Sequence, residues 1–225
     1  MSMSYLNKDG EDRTAVPMGA LRRFIKEREQ TRKVVEHCEL CSELIPPDHH
    51  HLLNLSSLTV ICACQACSVL FNDQGSGGGK YRLVPKRYMA LLDFRMSDEQ
   101  WEEMIIPVNM VYIFQSTKAD RMMAYYPSPA GPMESLLDVE NWASLSGNNP
   151  ILHKMEPDVE ALLINRIRDA REYYIVPIDA CYKLVGLIRA YWKGLSGGEE
   201  VWKEIEAFFA DIRQKSDLVR GENDA

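Results

Sequence analysis

The chain has 225 residues with a formal net charge of −7, 46% hydrophobic and 26% charged residues, a composition suited to a soluble globular protein with a substantial core. No apolar run reaches the roughly 18 residues of a membrane span, and the polar opening MSMSYLNKDGEDRTAVP lacks the apolar centre of a signal peptide. The acidic balance argues against nucleic acid as a partner, because affinity for phosphate comes largely from Lys and Arg.

A cytoplasmic protein is expected. In that compartment cysteines at short spacing serve as metal ligands or redox groups rather than as disulfides. Residues 1–16 read as a disordered tail, and a helix is expected over 17–33. Within it Leu21, Phe24, Ile25 and Arg28 have the spacing of one helical face. Arg22, Arg23, Lys26, Arg28, Arg32 and Lys33 cluster there as a solvated basic face or a docking arm for an acidic partner.

The segment CELCSELIPPDHHHLLNLSSLTVICACQACSVLF follows, with five of the six cysteines and three of the five histidines. Within it HHHLLNL and LTVICAC read as strands. The glycines of NDQGSGGG read as a flexible turn before a strand at KYRLVP. Ser97 is the N-cap of a short helix, DEQWEEM, with Gln100 at the capping-box position. IPVNMVYIFQS and RMMAYYP make a hairpin around TKAD, and SPAGP breaks the chain. MESLLDVENWASLSG reads as a short helical region ending at Gly147. DVEALLINRI fits helix or strand. REYYIVPI is a strand ended by Pro177. Asp179 is expected to cap the helix ACYKLVGLIRAYWKGL, and SGG stops it. A last helix, EEVWKEIEAFFADIRQK, puts Val201, Ile205, Phe208, Phe209 and Ile212 on one stripe, giving an αα-hairpin. The expected fold is α+β: a zinc-ribbon-like metal module over 34–94, integrated with an α+β body over 95–216, and a disordered tail over 217–225.

The chemistry lies in the cysteine segment. Cys38-x-x-Cys41 and Cys64-x-x-Cys67 are separated by 22 residues, the pattern of a zinc ribbon. Each short knuckle aims two thiolates at one ion, and the intervening strands bring the knuckles together. Four thiolates complete a tetrahedron around a soft or borderline cation, zinc, with iron as the alternative. Cys62 would share a strand side with Cys64, so either could be the ligand; otherwise Cys62 is a small buried hydrophobe beside the site. His49 and His51 share a strand face and could replace a cysteine or supply a supporting hydrogen bond. His37 and His153 read as structural or solvent-exposed.

The order of knuckle, histidines and knuckle also occurs in HNH-type nucleases, but no Asn/His pair in a finger helix follows Cys67. GSGGGK is not a phosphate-binding loop, since Gln74 stands where glycine is needed and no Ser or Thr follows Lys80. LSGGE, Leu195 to Glu199, reads as a turn between helices. Cys181 reads as core packing.

The segments CELC, HHHLL, ICACQAC, GGGKYRLVP, LLDF, EPDVEALLINR, YYIVPIDACYKLVGLIR and YWKGLSGG together resemble a bacterial family encoded beside nickel-iron hydrogenase genes. The resemblance covers about Arg22 to Arg213. It implies an accessory role in hydrogenase maturation, assembly or electron transfer, with hydrogenase subunits or maturation factors as protein partners. It implies no catalytic residues, and an enzyme is not favoured. The alternative reading is a redox or metal-delivery protein using iron or nickel; a nuclease fits least well. Trp101, Tyr125, Tyr126, Trp142 and Trp192 are candidate contacts, most of them better read as core.

Overall fold

The computed structural model describes residues 35–135 and 139–220. The described residues from His37 onward form one compact unit. The tail expected over 1–16, the helix expected over 17–33 and its basic cluster lie outside the described residues. The element order is β1 (Glu36–His37), β2 (Leu44–Ile45), β3 (His50–Asn54), β4 (Thr59–Ala63), α1 (Gln65–Asn72), α2 (Gln74–Gly77), β5 (Tyr81–Leu83), β6 (Met89–Leu91), α3 (Asp98–Glu103), β7 (Met110–Ser116), β8 (Arg121–Ser128) and β9 (Gly131–Ser135). There follow α4 (Val139–Asn148), a 3-10 turn (Pro150–Lys154), β10 (Glu160–Asn165), β11 (Glu172–Pro177), α5 (Ile178–Tyr191), α6 (Gly198–Lys215) and β12 (Asp217–Val219). The fold is α+β, with the C-terminal helix pair in place.

A seven-stranded sheet in the order β12-β6-β11-β10-β7-β8-β9 forms the centre. Alternate residues of its strands face opposite sides, so each side has its own core. Tyr112, Phe114, Leu163, Tyr174 and Val176 pack against Leu184 and Ile188 of α5 and against Val201, Ile205 and Phe209 of α6. Val111, Ile113, Leu162, Ile164 and Ile175 pack on the other side with Met104, Leu145 and Leu152. β10 is buried along its whole length because strands flank it and side chains cover both faces. That explains its undecided sequence pattern, since a strand buried on both faces shows no alternation.

The metal segment forms a second, three-stranded sheet in the order β4-β3-β5. Its core is small: Cys38, Ile45, Leu52, Ala63 and Cys67. It is joined to the body in two ways. Leu53 and Val84 are members of the large core. Arg82 reaches the buried Asp158 at 3.1 Å and the Pro157 carbonyl at 2.7 Å, and Arg87 holds the fully buried Glu160 through two bonds of 2.5 and 2.6 Å.

Several expectations need correction. β6, placed by sequence within 34–94, is a strand of the large sheet. SPAGP is the turn into β9, a third strand after the hairpin, so the helical region read at Met133 starts only at Val139. The glycine-rich run holds a four-residue helix, α2, before Gly78 and Gly79 take left-handed φ of 60° and 66°, a turn only glycine makes without strain. Asp217–Val219 pair in parallel with β6 although the sequence puts 217–225 in a disordered tail; residues 221–225 lie outside the described residues.

The capping box is present. Ser97 Oγ accepts the Gln100 N–H at 3.2 Å, and Gln100 Oε1 accepts the Ser97 N–H at 3.0 Å. Ser97→Ala is expected to lower stability by about 1 kcal/mol, read as a lower urea midpoint at unchanged slope. An unchanged midpoint would mean that packing of Trp101 alone holds α3.

Candidate metal centre

The first knuckle bends between β1 and β2. The Cys38 N–H donates to the Glu43 carbonyl and the Ser42 N–H to the Cys38 carbonyl, both at 2.8 Å. This tight return puts Ser42 at φ 64°, a conformation that costs an L-residue about 1–2 kcal/mol. The His37 ring braces it from outside through a 3.0 Å bond from Nδ1 to the Ser42 carbonyl.

The second knuckle is the start of α1. Cys64 is its N-cap, and Cys64 Sγ accepts the Cys67 N–H at 3.4 Å. The positive end of the helix dipole favours thiolates there. The knuckles are tied to each other by Glu39, whose N–H donates to the Cys62 carbonyl at 2.9 Å and whose carboxylate accepts the Cys62 N–H at 2.7 Å.

The result is a cluster of four sulfurs, Cys38, Cys41, Cys64 and Cys67, all within 4.8 Å of one another. Cys41 Sγ and Cys64 Sγ lie 3.7 Å apart. Zinc–sulfur bonds of about 2.3 Å in a tetrahedron put sulfurs about 3.8 Å apart, so the spacing suits such an ion. Cys38 and Cys67 are buried, Cys64 is half-buried and Cys41 is exposed.

The electrostatics also favour a cation. Burial pushes the Cys38 thiol up, but the backbone N–H groups of Cys64, Leu40 and Cys41 outweigh it and hold the thiol at about 6. Burial and the three neighbouring cysteines push Cys67 far up. At Cys41 the Glu43 N–H favours the thiolate, yet the Cys38 and Cys64 thiols and burial leave it raised. One thiol ionises readily and its neighbours then resist. A cation among the sulfurs would offset the resistance of Cys41 and Cys67.

Strand alternation separates the remaining sequence candidates. Leu52 pairs with Ile61 and faces the cysteine cluster, whereas strand alternation turns the His51–Cys62 pair the other way, although Cys62 still packs beside the core of the cysteine cluster. Cys64 does not follow Cys62, because β4 ends at Ala63 and the chain turns into α1. The cysteine cluster thus contains Cys64, and Cys62 meets His49 and His51 instead. His50 points elsewhere and bonds Gln65 Oε1 at 2.5 Å. His153 lies in the 3-10 turn, apart from both groups. Cys181 is fully buried in the large core, and burial pushes its thiol well up.

Asp179 is the residue that sequence reasoning misplaced. It lies inside the first turn of α5, where the N-cap position is Pro177 with no side-chain cap bond, and its carboxylate accepts from His51 Nδ1 at 2.5 Å. Cys67 lies within a helix, α1 (QACSVLFN), that holds no histidine, and its Asn72 Oδ1 accepts the Leu83 N–H at 2.7 Å. LSGGE is the turn between α5 and α6, with Leu195 fully exposed. The five aromatic candidates are all partly buried; Tyr125 stacks on Tyr112 and Phe114, and Trp192 packs on Trp202. No described helix is long and apolar enough to cross a membrane.

An α+β chain with a cysteine cluster able to hold a metal ion is the class that this geometry defines. Residues 37–216 match the model of a family of unknown function, DUF5947, and the chain belongs to that family. The matched span takes in both knuckles, the histidine run and the whole of the large sheet except β12. The chain matches no curated protein and no solved structure.

Proposed function

We propose that this protein is a cytoplasmic metal-binding accessory protein, in which Cys38, Cys41, Cys64 and Cys67 hold a structural zinc ion in a zinc-ribbon-like module. The observation that carries this reading is the convergence of four thiols from two knuckles within 4.8 Å of one another, with Cys41 Sγ and Cys64 Sγ 3.7 Å apart. Four-thiolate zinc sites are closed and structural, which directs the function to the surface rather than to the metal. Beside the site that surface is apolar: Leu44, Val69 and Leu70 are each at least half exposed, in keeping with a protein partner.

The partner we propose is a nickel-iron hydrogenase subunit or one of its maturation factors, on the strength of the sequence resemblance. Deleting the gene in a hydrogenase-producing host should leave hydrogenase subunits synthesised but immature. Fully active hydrogenase in the deletion strain would sink the proposal.

A further inference from the structure

A second group of metal-ligand side chains lies on the other face of β3 and β4. One ring nitrogen each of His49 and His51 and the Cys62 sulfur are all within 4.8 Å of one another. The hydrogen-bond partners fix the tautomers. His49 Nδ1 lies 2.9 Å from the Pro46 carbonyl, which can only accept. His51 Nδ1 lies 2.5 Å from Asp179 Oδ2, a carboxylate oxygen. Both Nδ1 atoms therefore carry hydrogen, and in the neutral rings both Nε2 atoms present lone pairs. Those two atoms face each other at 3.2 Å. Two lone pairs at that distance repel unless a proton or a cation lies between them. Metal–nitrogen bonds of about 2.0–2.1 Å in a tetrahedron put two nitrogens about 3.3 Å apart.

Asp179 adds a second reason. A carboxylate on the far nitrogen of a ligating imidazole fixes its orientation and raises its basicity, the usual support of a metal-bound histidine. Its other oxygen, Oδ1, is buried and accepts no hydrogen bond among the described residues. A cation at His51 Nε2 would offset that charge.

We infer that His49, His51 and Cys62 form a second metal site, for a divalent cation of the zinc, cobalt and nickel class, with Asp179 as its positioning residue. Two imidazoles and a thiolate suit such borderline ions and not magnesium or calcium. Three protein ligands leave a coordination position open. His49, His51 and Asp179 line a cleft of about 360 Å³ together with Pro47, Lys86 and Lys215, so that position takes water or a small anion and the ion can exchange. The site shares no ligand with the four-cysteine cluster and stands whether or not that cluster holds zinc.

Equilibrium dialysis of the full-length protein against cobalt(II), followed by visible spectra, tests this. Two equivalents per chain are expected. His49→Ala/His51→Gln should bind one, with the four-thiolate spectrum unchanged. Cys62→Ser should remove the thiolate charge-transfer band of the second equivalent only. Asp179→Asn should weaken the second equivalent about 10- to 100-fold. If the double variant fails to fold, His49→Ala alone removes a half-exposed ring and should show the same loss. One equivalent in the wild type that carries the four-thiolate spectrum, or two at full affinity in the histidine variants, overturns the inference in favour of a proton shared between the rings. Loss of the four-thiolate spectrum with the histidine-dependent equivalent retained would instead overturn the four-cysteine reading and leave this one standing.

Discussion

Cys67→Ser is expected to strip the metal from the four-cysteine cluster and to melt the three-stranded sheet around it. The reason is the size of that sheet's core. Its buried members are Cys38, Ile45, Leu52, Ala63 and Cys67, and two of these are themselves proposed ligands. So small a core offsets little of the chain entropy of ordering the segment, and on the proposed reading a metal supplies the difference. A structural zinc ion contributes about 10–16 kcal/mol of binding free energy at neutral pH. Losing one of four ligands removes on the order of a quarter of that, about 3 kcal/mol, which is more than a hundredfold in affinity. Metal analysis should find less than one ion per chain at the cluster, and hydrogen exchange should rise in β3, β4 and β5 while the large sheet stays protected. Acid acts in the same direction, because every ligand must lose its proton to bind; metal affinity therefore falls as pH is lowered. Cys181→Ser is the contrast. That thiol sits in the large core, so its replacement should lower stability by about 1–3 kcal/mol with metal content unchanged. A Cys67→Ser protein with full metal content and an unchanged melting temperature would show that the cluster is not a metal centre.

The features legible in the sequence are those whose cause is local. The two knuckles are four-residue motifs, the capping box spans four residues, and the α6 stripe repeats within one helix. Each can be read without knowing what lies across the fold. The features misread have distant causes. β10 shows no alternation because β7, β11 and both cores cover it. β12 is a strand only because β6 offers it an edge. β9 was hidden by Pro132 and by the Ser128–Gly131 turn, yet an edge strand tolerates proline. Cys62 and Cys64 looked equivalent because the sequence does not show where β4 ends. Asp179 looked like a helix cap because its partner, His51, lies 128 residues away. An acidic residue two positions after proline at a helix start suits a cap; only the tertiary pairing reassigns it.

Arg87→Ala is expected to destabilise the whole fold by about 3 kcal/mol, more than any surface ion pair would. Glu160 is fully buried at the start of β10. Its two oxygens take the Arg87 Nε and Nη2 donors and the Glu156 N–H, the last at 2.8 Å. The pairing with Glu160 in turn raises the Arg87 guanidinium above its ordinary value. Truncating Arg87 leaves a buried carboxylate with one backbone N–H, and an uncompensated buried charge costs about 3–5 kcal/mol. The lower end applies because the arginine is partly exposed, so water can follow into the space it leaves. Arg87→Met/Glu160→Leu should recover most of the loss, since replacing both partners removes the charge that needed compensation. A double-mutant cycle by urea unfolding separates these terms. The pair also joins the exit of the metal segment to the central sheet, and Arg82 with Asp158 is a second such joint. The single variant should therefore unfold earlier while holding its metal at full stoichiometry in the native state. That outcome separates the joint from the knuckles, whose loss removes metal first. A change under about 1 kcal/mol in Arg87→Ala would mean that water or other groups compensate the Glu160 charge and that the joint rests on Leu53, Val84 and Arg82.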